Sequence, residues 1–318
     1  MEDKDRNDEL VHANVERFQA ALEAGLARVE GTEHLKSLVA VLDGSDQDGS
    51  TLALVRELAI PRKLAVVLTC GHLEAGPEAE DRIVLDAQQS LAADGLDATV
   101  LLSSSAENHL RLRAVRTAHP DACFLLPSPF GHDYVDLAQK SLGTAVEVAL
   151  AESTAPTLVV RGPIGAIAAE PLSRPHVVLR ESHRASARAV SVALGLLEEH
   201  EVIAGTLSMS FVHDGPASPL VDEVRAIGFG ANVETLLPLL PHGLSALLRQ
   251  VASMSEQHGG LRLDLRLVLP GEEAIDEDFE RGRLHILPRK PGSPHVDAAI
   301  QDFVLGSSDP VLVVPARA

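Results

Sequence analysis

Short apolar runs alternate along this chain with longer segments whose apolar residues recur at steps of three and four. The first class of segment predicts buried strands and the second amphipathic helices. In the first half the strands fall over 38–42, 64–70, 99–102, 122–127 and 157–161. Helices are predicted between them over 51–59, 78–93 and 110–117, and in the segment that opens at Leu142. The second half repeats the plan with strands over 176–180, 202–212, 261–269, 284–288 and 311–314, and a helix over 185–199. Apolar strands separated by helices of this length indicate βα units and a parallel sheet covered on both faces.

The two halves also share an ending. LGTAVEVALAESTAPTLVV, 142–160, aligns without a gap to VDAAIQDFVLGSSDPVLVV, 296–314, so that Ala145 meets Ala299, Ser153 meets Ser307 and Pro156 meets Pro310. The expected organisation is an amphipathic N-terminal helix over 1–34, a first domain over 35–161, a linker over 162–175 and a second domain over 176–318. The helix is read from Val11, Val15, Phe18, Leu22, Leu26 and Val29, and the linker from its glycines and prolines. The second domain carries an elaborated connection around 213–260.

Composition narrows the classes of function. The chain has 318 residues, 45% of them hydrophobic, with no Trp and one Tyr, so two cores of ordinary size must be built from aliphatic side chains. A formal charge of −19 opposes nucleic acid and anionic membrane as general partners. Two cysteines without metal-ligand spacing, a charged N-terminus and no apolar run of spanning length predict a reduced, cytoplasmic protein without a metal site. Cys70-Gly71-His72 supplies too few ligands for a metal, and Ser103 to His109 lacks the setting of a hydrolase nucleophile; both are read as structural.

LVAVLDGSDQDGSTLALVRELA, 38–59, and GTAVEVALAESTAPTLVVR, 143–161, resemble the opening and closing segments of universal stress proteins. The resemblance covers nearly the whole chain as two tandem copies. It implies flavodoxin-like or Rossmann-like domains, each with a five-stranded, mostly parallel sheet and helices on both faces. In members that bind ATP, the Asp at the first strand's end contacts adenine, and a loop of pattern G-x2-G-x9-G-[ST] wraps ribose and phosphates. Asp43 stands at the adenine position, followed by Gly44 and Ser45, and Gly143-Thr144 stands at the motif's last pair. The two earlier glycine positions hold Phe130 and Asp133 within PSPFGHDYVD, where Ser128 and Gly131 are the remaining candidate contacts.

The second copy departs further. Glu181-Ser182 is read in place of Asp-Gly, and Asp297 stands where the first copy has Gly143. A carboxylate there can accept the free N–H groups of the helix start and supply the anion itself. Arg289, Lys290 and His295 are expected to form a solvated basic cluster. ATP or AMP is thus a candidate ligand of the first domain, and none is expected in the second. The expected function is that of a non-catalytic stress-response protein working through protein contacts; the alternatives are an adenine-nucleotide sensor using the first domain and, third, a slow nucleotide hydrolase. The resemblance also implies that the last strands, 157–161 and 311–314, pair within the chain, and it leaves a homodimer open.

Overall fold

The computed structural model describes residues 28–71, 76–102, 108–128, 142–161, 174–180, 184–199, 202–212, 232–269, 283–290, 296–307 and 309–317. The first half runs β1 (Ser37–Leu42), α1 (Gln47–Arg62), β2 (Ala65–Cys70), α2 (Pro77–Ala93), β3 (Ala98–Leu101), α3 (Asn108–Ala118), β4 (Cys123–Ser128), α4 (Thr144–Glu152) and β5 (Thr157–Arg161). The second half runs β6 (Pro175–Leu179), α5 (Arg184–Leu197), β7 (Glu198–Glu199), β8 (Val202–Val212), α6 (Val233–Leu236), a 3-10 turn (Leu237–Leu239) and α7 (His242–Gln257). It closes with β9 (Gly260–Val268), β10 (Leu284–Arg289), α8 (Ala298–Gly306) and β11 (Val311–Pro315).

The sequence pattern explains the layers. In β1 every residue from Leu38 to Leu42 is buried, because helices cover both faces of the sheet. Leu38, Ala40 and Leu42 point into one core with α1, α2, α5 and α7. Val39 and Val41 point into a second core with α3, α4 and α8. Helix α1 buries Ser50, Thr51, Leu54, Val55, Leu58 and Ala59, a stripe at helical spacing, and ends at Lys63 in the left-handed conformation.

The halves do not form two separate sheets. Their strands join in one continuous eleven-stranded sheet of order β3-β2-β1-β4-β5-β11-β10-β6-β8, with β9 paired to β8 and the two-residue β7 at the start of β8. The halves therefore mirror each other about the seam between β5 and β11. There the strands run antiparallel, with Val159 opposite Val311, Leu158 opposite Leu312 and Thr157 opposite Val313. The expected pairing of last strands is thus the seam itself, and it covers two apolar edges that are otherwise open to aggregation.

Ladder register fixes which residues correspond. Phe124 lies between Val39 and Thr157 as His285 lies between His176 and Val311. Counting four residues on from Val39 and from His176 puts Arg180 at the position of Asp43. This corrects the reading of Glu181 there; residues 181–183 lie outside the described residues. Pro175, taken as the end of the linker, is already the first residue of β6, and 162–173 lie outside the described residues. Of the elaborated connection, α6, the 3-10 turn and α7 form the crossover between β8 and β9, while 213–231 lie outside the described residues.

Residues 28–36 contain no helix, so the end of the expected N-terminal helix is instead an irregular strap; 1–27 lie outside the described residues. The strap crosses α5, where Glu33 N–H donates to the Ser191 carbonyl at 2.9 Å. Gly195 permits the crossing, since a Cβ there would collide with the Glu33 backbone. No helix among the described residues is long and apolar enough to cross a membrane.

Candidate functional site

The carboxyl ends of β1 and β4 bring together Asp43, Gly44, Ser45, Ser128 and Gly143, the place where open α/β sheets bind ligands. Asp43 is buried, at 3% exposure, and its Oδ1 accepts Ser45 N–H at 3.0 Å. That short bond turns the chain out of the strand, and Gly44 follows at φ 75, the left-handed region that glycine adopts without strain. The Ser45 hydroxyl accepts Gln47 N–H at 3.2 Å and so starts α1.

Two residues that sequence reasoning passed over organise this loop. Asp48 Oδ1 accepts Asp43 N–H at 3.0 Å, and its Oδ2 accepts Gly44 N–H at 2.8 Å. Both loop donors are thereby committed to a carboxylate of the chain's own first helical turn. Burial is the main influence on Asp48, and with the neighbouring Asp43 charge it outweighs the two N–H bonds, pushing the carboxyl up to about 6. Gln47 spans the gap to β4: its Nε2 donates to the Ser128 carbonyl and its Oε1 accepts Ser128 N–H, each at 3.0 Å. The only sequence signal for either was an acid in DGSDQD, a placement that ordinarily complements the helix dipole.

Ser128 Oγ donates to the Leu142 carbonyl at 3.2 Å and holds Gly143 beside the β1 loop. Gly143 stands at the N-terminus of α4 with φ 85 and offers no capping side chain of its own, and Thr144 opens the helix. Phe130, Gly131 and Asp133 lie outside the described residues. Asp43, Gly44, Ser45, Ser128 and Gly143 are therefore neighbours, with Thr144 following in the chain. The donors of Asp43 and Gly44 do not fit an incoming anion, because Asp48 already supplies one.

The end of β2 next to this loop is closed by a buried ion pair. Arg111 donates to Glu80 Oε2 at 2.9 Å and to the Cys70 carbonyl at 2.7 Å. Burial, reinforced by the Asp48 and Glu80 charges, pushes the Cys70 thiol up to about 12, so it is no nucleophile at neutral pH. Cys123, buried in the sheet, is likewise pushed up to about 12 by desolvation. Among the described residues no group of three or more His, Cys, Asp or Glu could hold a metal ion.

In the second half, Asp297 caps α8 as expected, accepting Ala299 N–H at 2.9 Å. With Arg180, Leu287, Ile300 and Phe303 it lines a cleft of about 60 Å3, far smaller than an ordinary small-molecule site. The expected solvated basic cluster is corrected by Arg289, which is buried and donates to the carbonyls of Ala151 and, at 2.9 Å, Ser153. It satisfies the carbonyl end of α4 in the other half and so fastens the two halves together. His295 lies outside the described residues.

A further polar constellation, absent from the sequence reading, crosses the amino edge of the second half. His285 lies 3.6 Å from Asp309 and 3.0 Å from His176, and His176 lies 2.7 Å from the Ser210 hydroxyl. All four side chains are buried, with Phe303 packed edge-on against the His285 ring. Desolvation, followed by the nearby His285, Arg283 and Arg266, holds His176 well below the usual imidazole range. The two imidazoles and the Ser210 hydroxyl form a buried relay in which a single proton satisfies the bond between the two rings, and Asp309 stands beside His285 as its acidic neighbour.

No protein-family model and no curated protein sequence matches this chain. Solved structures do resemble it. A universal stress protein from Archaeoglobus fulgidus DSM 4304 superposes with a TM-score of 0.59 at 12% identity, over 89% of this chain and 98% of that one. A putative universal stress protein from Pseudomonas aeruginosa UCBPP-PA14 gives 0.56 at 13% identity, covering 88% and 93%. A functionally unknown protein from Pseudomonas aeruginosa PAO1 gives 0.57 at 14% identity, covering 89% and 93%. At these identities the likeness speaks for fold: the chain has the architecture of universal stress proteins, written as two lobes on one sheet.

Proposed function

We propose that this chain is a non-catalytic regulatory protein of the universal stress type whose nucleotide sites are degenerate and which acts through protein contacts. The observation that carries the reading is the Asp48 carboxylate on the backbone donors of Asp43 and Gly44. An acid held there opposes the phosphates of a nucleotide by charge and already occupies the hydrogen bonds offered by the loop. Equilibrium dialysis of the full chain against ATP and AMP tests it, with no saturable binding expected up to about 1 mM. Binding that is lost in Asp43→Ala establishes the sensor instead. One feature favours that second reading: Gly143 brings no capping side chain of its own to α4, whereas Asp297 does so at the matching place in the second half.

A further inference from the structure

We infer that the cleft between the N-terminal strap and α5 binds a small phosphorylated compound carrying at least two negative charges. This cleft has a volume of about 490 Å3, within the range of about 300–1,000 Å3 typical of small-molecule sites and well above what one inorganic phosphate fills. Arg184, Ala187, Arg188 and Ser191 line it from α5, a stripe at helical spacing. Arg28, Glu30 and Glu33 face them from the strap, and Arg317 from the chain's end.

The charges do not balance. Four arginines and two glutamates line the cleft, in a chain whose formal charge is −19. Glu33 is engaged by Arg188, which grips both its oxygens at 2.9–3.1 Å and also donates to the carbonyls of Thr154 at 2.9 Å and Pro315 at 2.8 Å. This grip is structural: it ties the strap, α5, the connection before β5 and the end of β11 into one wall. Arg317 reaches Glu33 at 3.2 Å and Glu30 at 3.9 Å, but Arg317 and Glu30 are 62% and 81% exposed. Pairs of that kind contribute little and are readily exchanged for a ligand. Arg28 and Arg184 are exposed and make no ion pair or hydrogen bond with any described residue.

Guanidinium forks match phosphate oxygens with two parallel N–H bonds, and a locally positive cleft on an acidic surface concentrates anions. Small Ala187 and Ser191 between the arginines leave room for the organic part of the ligand. The cleft is lined by none of the residues of the Asp43 loop, so it is independent of the nucleotide reading above.

Calorimetric titration of the full chain with pyrophosphate, in buffer of constant ionic strength, tests the site. Saturable binding is expected, with inorganic phosphate weaker and chloride without effect. The double variant Arg28→Ala with Arg184→Ala is expected to weaken pyrophosphate at least about tenfold, since the charge-assisted bonds of two guanidinium groups are lost. Both positions are exposed and lack partners among the described residues, so an unchanged far-UV spectrum is expected in the variant. Asp43→Ala is expected to leave the affinity unchanged. Absence of saturable binding, equal affinity in the double variant, or a loss that follows Asp43→Ala would each overturn the proposal.

Discussion

The two lobes share one backbone plan and bury their polar groups at opposite edges of it. At its amino edge the first lobe packs Val39, Phe124 and Ala155, with Thr69 further along β2. At the corresponding register the second lobe packs His176, His285, Asp309 and Ser210. At the carboxyl edge the contrast is reversed: the first lobe holds Asp43, Asp48 and the Glu80–Arg111 pair, whereas Arg180 and Ala185 stand where Asp43 and Asp48 would be. The fold does not require the same buried groups at either edge, since the two copies place different residues at matching positions among those described. What each copy buries is therefore its own specialisation and can be removed separately.

The largest effect is expected in the first lobe. Arg111→Met removes the guanidinium 2.9 Å from buried Glu80, and urea unfolding should report a loss of about 3–5 kcal/mol. Adding Glu80→Leu should recover much of it. A recovery that fails would show that Arg111 matters through the Cys70 carbonyl rather than through Glu80.

In the second lobe, His285→Phe imposes the residue of the first lobe at one position only. It takes from His176 the imidazole beside it and from Asp309 its basic neighbour, and should cost about 1–3 kcal/mol. The triple change His176→Val, His285→Phe and Asp309→Ala writes the apolar set of the first lobe and should recover most of that loss, with the Ser210 hydroxyl the one member of the constellation deprived of its imidazole partner. A triple variant no better than the single one would mean that the relay is needed for packing, not merely tolerated.

The lobes should also respond to acid with opposite signs. Asp48 keeps its proton more tightly folded than unfolded, so between about pH 4 and pH 6 its contribution to stability falls as pH rises. His176 refuses in the folded state a proton that the unfolded chain takes below about 6.5, so its contribution rises with pH up to that value. Each group can bend the curve by at most about 1.4 kcal/mol per pH unit. Asp48→Asn should abolish the first slope and His176→Val the second, as read from unfolding midpoints across pH. The smallest change is at the helix start: Asp297→Ala should cost about 1 kcal/mol, measurable as a lowered thermal midpoint.

The alternation of strands and helices was legible in the sequence because each strand is a continuous aliphatic run bounded by turn residues. The seam was legible from the repeated Leu-Val-Val, whose apolar edge needs a partner. The amino-edge relay was not, because His176, His285 and Asp309 are far apart in the chain and each resembles an isolated surface residue until strand register aligns them. Asp48 escaped for a related reason: an acid in the first turn of a helix ordinarily faces solvent, and only the sharp turn at Gly44 brings the β1 donors within its reach. The strap was misjudged because the steps of three and four that end at Val29 continue no further, and residues 28–36 pack across α5 instead of coiling.

The seam between β5 and β11 has an evolutionary consequence. When two identical subunits meet about a twofold axis, any substitution is made in both at once, so a charge favourable on one side must be tolerated on the other. Covalent fusion across the same interface lifts that restriction while keeping the strands paired one to one at any concentration. Here an arginine can stand where the sister copy keeps an aspartate, and a histidine where it keeps a phenylalanine. A join that looks merely structural is what lets one lobe change its chemistry without the consent of the other.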